Sequence, residues 1–165
     1  MFQSLAKTLF GDSQDQMAQV KLSRWLIGAV ARALDPGCQM DTALVIRGRQ
    51  GVGKTTFLGA LFGKYFRTLH SSKNDTEQQR ILPQAWGCKL GEIEATFRTK
   101  DISALKAFLT ETKNSFRDMC KDLGAPRLRH CVFARTTNET AFLNDPTGSR
   151  RFWIVDVDNY KILVG

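Results

Sequence analysis

Apolar and polar positions along the chain follow two periods, one typical of helices and the other of buried strands. Residues 15–34 carry apolar side chains at helical spacing, namely Met17, Val20, Trp25, Ile27, Ala31 and Leu34. Residues 35–37, Asp-Pro-Gly, end this helix, because proline cannot continue it and glycine supplies a turn. Short apolar runs farther along predict four strands, at residues 43–46, 86–93, 131–134 and 152–155.

Helical spacing returns between these strands. Two predicted helices, residues 56–66 and 101–112, place apolar side chains on one side, at Leu58, Leu61 and Phe62 and at Ile102, Leu105, Phe108 and Leu109. Strands that alternate with helices predict an α/β fold with a mainly parallel sheet flanked by helices. We expect residues 1–40 to form an N-terminal arm and a helix packed on the core, and residues 41–165 to form the core itself.

Length and composition exclude several classes of protein. With 165 residues, of which 42% are hydrophobic and 24% charged, the chain is typical of one globular domain and not of a disordered protein. The longest apolar run covers residues 25–31, whereas a membrane-spanning helix needs about 20 residues, so we expect no membrane association. The four cysteines form no CxxC pair, which argues against structural zinc and a disulfide framework and favours the cytoplasm.

The net charge of +8 is unevenly distributed along the chain. Residues 1–45 are neutral overall, so the whole excess of basic side chains lies in residues 46–165. A one-sided basic distribution favours a polyanionic partner, such as nucleic acid or nucleotide phosphates. The alternative is an ordinary solvated basic surface.

The strongest chemical signal is a glycine-rich loop between the first strand and the next helix. Residues 48–55 match the phosphate-loop pattern GxxxxGK[S/T] in full. Glycines let backbone amides turn towards phosphate oxygens, and the start of a helix adds its dipole. We expect Lys54 to reach the β- and γ-phosphates of ATP and the Thr55 hydroxyl to bind Mg²⁺. The predicted nucleotide-binding residues are Gly48, Arg49, Gln50, Gly51, Val52, Gly53, Lys54, Thr55 and Thr56.

Hydrolysis requires further groups beside the phosphate loop. Glu92 and Glu94 are candidates for the carboxylate that holds Mg²⁺ and polarises the attacking water, unless they are solvated residues at a strand end. Asn138 follows the strand at 131–134 and could orient that water, unless it is a turn former. One of Arg150 and Arg151 could act as an arginine finger, although adjacent arginines are commonly surface residues.

Together these motifs resemble the virulence-associated protein E family, P-loop ATPases of phages and mobile elements that are related to superfamily 3 helicases. The resemblance runs from about residue 25 to residue 155, through the segments 31–37, 48–56, 90–98, 105–110, 137–138 and 145–153. The last segment is the most specific and reads Asp145-Pro146-Thr147-Gly148-Ser149-Arg150-Arg151-Phe152-Trp153. The resemblance implies a P-loop NTPase fold of the AAA+ or superfamily 3 helicase type, with ATP and Mg²⁺ as cofactors.

The resemblance also implies roles for single residues. Glu92 takes the Walker B role, Asn138 the sensor role, and Arg150 or Arg151 the finger role from a neighbouring subunit of a homo-oligomeric ring. Lys89 departs from the family pattern, because relatives usually carry an acidic residue of the Walker B strand there. We expect a cation at this position to weaken Mg²⁺ binding or hydrolysis and to leave Glu92 acting with Glu94.

A basic segment precedes the predicted sensor strand. Residues 97–135 contain nine basic and four acidic side chains. Related helicases place a hairpin here that touches single-stranded DNA in the channel of a ring, and contacts of this kind recognise the backbone and depend on salt. The expected DNA-binding residues are Arg117, Lys121, Arg127 and Arg129; the alternative is a solvated face.

Three functions remain open from the sequence. The first is an oligomeric helicase-like ATPase that acts on DNA in phage or mobile-element replication. The second is a reduced, hydrolysis-poor homologue that binds nucleotide, DNA or another replication protein, which Lys89 and the chain length favour. The third, a small-molecule kinase, fits the length but not Asn138 or the segment 148–151.

Overall fold

A five-stranded parallel sheet forms the centre of the computed structural model, which describes residues 16–69, 81–91, 102–114, 127–138 and 149–157. In chain order the described strands are β1 (Ala43–Arg47), β2 (Phe66–Leu69), β3 (Gly87–Leu90), β4 (Lys113–Asn114), β5 (Arg127–Leu128), β6 (Val132–Thr137) and β7 (Phe152–Asp156). The large sheet has the order β2-β3-β6-β1-β7, and all its neighbouring strands run parallel. Strands β4 and β5 form a separate antiparallel pair. The described helices are α1 (Gln16–Leu34), α2 (Lys54–Phe62) and α3 (Ile102–Thr110), with short 3-10 helices at Gly63–Tyr65, Leu82–Gln84 and Ser149–Arg151.

Strand β1 is an interior strand between β6 and β7, and all four of its apolar residues are buried. Its register pairs Arg47, the last residue of β1, with Thr137 of β6 and Asp156 of β7. The carboxyl ends of these three strands therefore meet at one edge of the sheet, where ligands bind in open α/β folds. The glycine-rich loop begins at this edge, and Asn138 follows β6 there.

The core has one apolar layer on each face of the sheet. On one face α1 and α2 cover alternate residues of the strands, such as Leu44 and Ile46 of β1. On the opposite face α3 packs over the intervening residues, such as Ala43 and Val45. The predicted α/β class, a parallel sheet flanked by helices and preceded by an N-terminal helix, is confirmed.

Close packing against β3 explains one glycine. The ring of Phe62 stands edge-on to both Trp25 and Trp86, with ring centroids 5.8 and 5.3 Å apart. A Cβ atom at Gly87 would lie 2.1 Å from a ring carbon of Phe62. Position 87 therefore has no room for a side chain.

The inner face of α1 differs from the predicted one. The buried residues are Ala18, Leu22, Trp25, Leu26, Ala29 and Arg32. Met17, Val20, Ile27 and Leu34, which the sequence pattern assigned to the same apolar set as Trp25, are exposed. This helix carries apolar residues on its exposed side as well as on its buried side, and the buried set includes Arg32. Its guanidinium donates hydrogen bonds to the carbonyls of Cys38, Met40 and Cys131.

Other elements deviate from their predicted bounds. The helix expected over residues 56–66 begins earlier, at Lys54, and ends at Phe62, after which β2 forms a strand that the pattern did not predict. The strand expected at 86–93 is described as β3 up to Leu90. Residues 1–15, which include the expected N-terminal arm, lie outside the described residues. Among the described helices, none combines the length and the apolar character that crossing a membrane requires.

Candidate nucleotide-binding site

The glycine-rich loop connects β1 to α2 at the carboxyl edge of the sheet. The N–H of Gly48 donates to the carbonyl of Thr137 at 3.1 Å, which fixes the start of the loop to β6. Gly51 and Gly53 have φ angles of 84° and 90°, in the left-handed region that glycine adopts without a steric cost. Gly53 is the residue before α2, so the loop opens directly onto the first turn of that helix. Backbone of this kind can direct amide groups and a helix dipole towards an anion.

Lys54 is the charged group of the loop that is held in place by burial and by several hydrogen bonds. Its side chain is only 7% exposed, and its Nζ donates to the carbonyls of Gly48 at 2.5 Å and Arg49 at 2.7 Å. The same ammonium donates to Oδ1 of Asn138 at 2.9 Å. The structure thus brings together two of the predicted residues, which lie 84 positions apart in the sequence. Hydrogen bonds from an ionised donor are the stronger ones, so this contact holds the two side chains together.

Thr55, the predicted Mg²⁺ ligand, contacts a cation of the protein itself. Nζ of Lys89 donates to Oγ1 of Thr55 at 3.3 Å. Among the described residues, no group of three or more His, Cys, Asp or Glu side chains could hold a metal ion. In the described part of the site, the charged group at the Thr55 hydroxyl is therefore a cation, whereas phosphate-loop proteins place Mg²⁺ at this hydroxyl. Glu92 and Glu94, the predicted carboxylates, lie outside the described residues.

An ion pair that the sequence reasoning missed lies beside the loop. Arg47 donates through Nε to Oδ1 of Asp156 at 2.5 Å and through Nη2 to Oδ2 at 2.8 Å. The N–H of Val157 also donates to the carbonyl of Arg47. This bidentate pair ties β7 to the end of β1, immediately before the loop. Nothing in either local sequence indicates the pairing, which depends on the order of the strands.

Arg150 and Arg151 lie at the amino-terminal ends of the strands, whereas the loop lies at the carboxyl ends. They directly precede β7, whose first residue, Phe152, pairs with Ala43 at the start of β1. Strand β1 has five residues and therefore four rises of about 3.3 Å, so about 13 Å separates its first and last residues. The side chain of Arg150 is exposed, whereas that of Arg151 is half-buried with an Nε that has no hydrogen-bond partner in the described structure. The fold separates both arginines from the loop of their own chain, and the finger role stays a prediction.

The predicted DNA-binding residues divide into three groups. Arg127 is exposed on β5, which pairs with β4 at the base of the segment 115–126. Arg117 and Lys121 lie within that segment, outside the described residues. The prediction that Arg129 binds DNA is wrong. Its side chain is only 1% exposed, and its guanidinium donates to the carbonyl of Phe108 and to the carboxylate of Glu111.

The surroundings of Arg129 explain this burial. Its guanidinium also stacks over the ring of Phe108, 4.7 Å from the centroid, and lies 5.5 Å from that of Phe133. Stacking of this kind stabilises a desolvated cation. Arg129 is therefore a structural residue between α3 and β6 and is not available to a phosphate backbone.

Comparisons with known proteins agree with this architecture. A family model described as the virulence-associated protein E-like domain matches residues 1–164. The apo structure of the NrS-1 C-terminal region is similar in fold, with a TM-score of 0.64 and 19% identity over 96% of this chain and 36% of that one. An inhibitor-bound JCV helicase is also similar, with a TM-score of 0.53 and 13% identity over 91% of this chain and 42% of that one. A search of curated proteins finds no match.

The two structural neighbours are longer proteins, and this chain spans less than half of each. Identities below 20% show a shared fold and no more. The family match is of a different kind, because it extends over nearly the whole chain and agrees with the motifs that the sequence displays. This chain belongs to the virulence-associated protein E-like domain family.

Proposed function

We propose that this chain is an ATP-binding, helicase-like ATPase module that acts on DNA in phage or mobile-element replication. The observation that carries the proposal is the 2.9 Å contact between Nζ of Lys54 and Oδ1 of Asn138. It joins the cation that a phosphate loop uses to bind a triphosphate with an amide at the end of the neighbouring strand. A glycine-rich turn before a core helix would not need such a partner.

In this proposal each group has a separate task. Loop amides and Lys54 bind the phosphates, and the Asn138 amide orients the attacking water against the γ-phosphate. Glu92 remains the predicted residue that polarises this water. The helicase part of the proposal draws on the family and on the name of one structural neighbour, the JCV helicase. We extend it to a homo-oligomeric ring on single-stranded DNA, with another replication protein as a further possible partner.

Lys54→Ala tests nucleotide binding. Loss of the loop ammonium should abolish the binding of a fluorescent ATP analogue, because Lys54 is the buried cation that lies against the backbone of the loop itself. The matched control is Lys64→Met, which removes the same charge from an exposed residue after the far end of α2. Equal ATP affinity for the wild type and Lys54→Ala, measured by titration calorimetry, would reject the proposal.

Glu92→Gln tests hydrolysis separately from binding. The change keeps the shape of the side chain and removes its charge, so turnover with single-stranded DNA should stop while ATP affinity persists. Glu94→Gln, at the other candidate carboxylate, is the comparison and should lower turnover less than Glu92→Gln does. If Glu94→Gln stops turnover and Glu92→Gln does not, the assignment of the Walker B role is wrong.

One observation favours a second candidate, a nucleotide-binding module with little hydrolysis. The Lys89 ammonium lies at the hydroxyl of Thr55, where an ATPase of this type binds its metal. Absence of turnover in the wild type, at ATP concentrations that saturate binding, would favour this candidate over the ATPase.

A further inference from the structure

We infer that Lys89 is a resident cation of the nucleotide site, so that the chain binds ATP without Mg²⁺. The inference rests on the proposed nucleotide binding and specifies its ionic requirement. It begins from the 3.3 Å contact between the Lys89 ammonium and the Thr55 hydroxyl.

The position of Lys89 follows from the alternation of side chains along β3. Cys88 and Leu90, its two neighbours, are buried in the core layer under α3. Lys89 therefore faces the other side of the sheet, where its partner in β6, Ala134, belongs to the layer under α1 and α2. From that side the long side chain reaches Thr55 in the first turn of α2. The contact is thus a consequence of the register between β3 and its neighbours.

The charge at this point decides which ions the site accepts. In phosphate-loop proteins the hydroxyl equivalent to Thr55 binds Mg²⁺, which bridges the β- and γ-phosphates. A divalent cation at the same hydroxyl would lie next to the Lys89 ammonium, and the two positive charges would repel each other. A triphosphate, in contrast, would be attracted by both Lys54 and Lys89. The ammonium has three N–H donors, of which the bond to Thr55 uses one.

The experiment compares ATP affinity with and without a chelator. A fluorescent ATP analogue is titrated into the full chain in excess Mg²⁺ and in excess EDTA. For the wild type we expect the two dissociation constants to agree within about threefold. Lys89→Met keeps a side chain of similar length without charge, and it should weaken binding in EDTA by about tenfold or more. Lys64→Met, the charge-matched control, should change neither value by more than about twofold.

A second variant supplies the reverse arrangement. Lys89→Asp introduces a carboxylate at the position where relatives carry an acidic residue, so binding should become dependent on Mg²⁺. Circular dichroism verifies that each variant folds; Lys89 is half-buried, and neither Met nor Asp has a longer side chain than the lysine it replaces.

The possible outcomes distinguish failure of this inference from failure of the proposed nucleotide binding. If wild-type binding weakens more than about tenfold in EDTA, or if Lys89→Met binds like the wild type there, the inference is overturned while nucleotide binding stands. If the wild type binds no ATP in either buffer, both the proposed function and the inference are rejected. Chelator-insensitive binding that Lys89→Met removes would support both.

Discussion

The contact between Lys54 and Asn138 allows a quantitative prediction for Asn138→Asp. The change places a carboxylate oxygen where the amide Oδ1 now lies, 2.9 Å from the ammonium. A unit charge pair at about 4 Å is worth ~1 kcal/mol in water and ~4 kcal/mol near a protein surface. Because Lys54 is buried and Asn138 is exposed, we take an intermediate value of about 2 kcal/mol. A triphosphate must overcome this added attraction, so ATP affinity should fall about thirtyfold.

The matched variant is Asn138→Ala, which removes a neutral acceptor and adds no charge. Its ATP affinity should change by about threefold or less, whereas turnover should fall about a hundredfold, because the group that orients the water is lost. Titration calorimetry measures the affinities, and thermal melting checks that Asn138→Asp is at least as stable as the wild type. If Asn138→Asp binds ATP as tightly as the wild type, the contact with Lys54 is not part of the nucleotide site.

Two further predictions concern packing and assembly. Gly87→Ala should lower the free energy of unfolding by about 2–3 kcal/mol in a urea titration, because its Cβ would overlap the Phe62 ring, which packs against two tryptophans. The control is Gly59→Ala, whose Cβ would meet its nearest neighbour at 3.9 Å. This change should raise the free energy of unfolding by up to ~1 kcal/mol, because alanine favours a helix more than glycine does. A loss of stability in Gly59→Ala equal to that in Gly87→Ala would refute the packing argument. Alanine at Arg150 or Arg151, whichever is the finger, should spare ATP affinity and lower turnover at least about a hundredfold. Mixing that variant with Lys54→Ala should restore part of the activity, and an inactive mixture would reject a site shared between subunits.

The fold could be predicted from the sequence where local pattern and burial coincide. Strand β1 is apolar at every inward position, and the glycine loop that follows it has one common structural context, a strand before and a helix after. Strand β2 was missed because only one of its residues, Leu69, is buried. The prediction of the inner face of α1 was wrong because this helix has more apolar residues than its contact with the sheet can bury. One of the buried positions is instead occupied by Arg32.

The candidate site was predictable only in part, for a related reason. The phosphate loop is contiguous in sequence, so its residues could be named directly. The contacts Lys54–Asn138 and Lys89–Thr55 depend on which strands are neighbours and on their register, which no local pattern contains. Arg129 illustrates the same limit, because a basic residue in a basic segment gives no sign that two phenylalanine rings and Glu111 surround it.

The bonds of α1 have a mechanical consequence. Nε1 of Trp25, on the buried face of this helix, donates to the carbonyl of Phe133 at 3.0 Å, and Phe133 belongs to the strand that leads to Asn138. Lys21 and Arg32 attach the same helix to backbone carbonyls of Ile154 and Cys131. Sliding the helix along the sheet would break these bonds and leave buried polar groups unpaired, which costs several kcal/mol in total. A displacement of α1 would therefore also displace the strand that precedes Asn138, because the hydrogen bond from Trp25 joins the two elements.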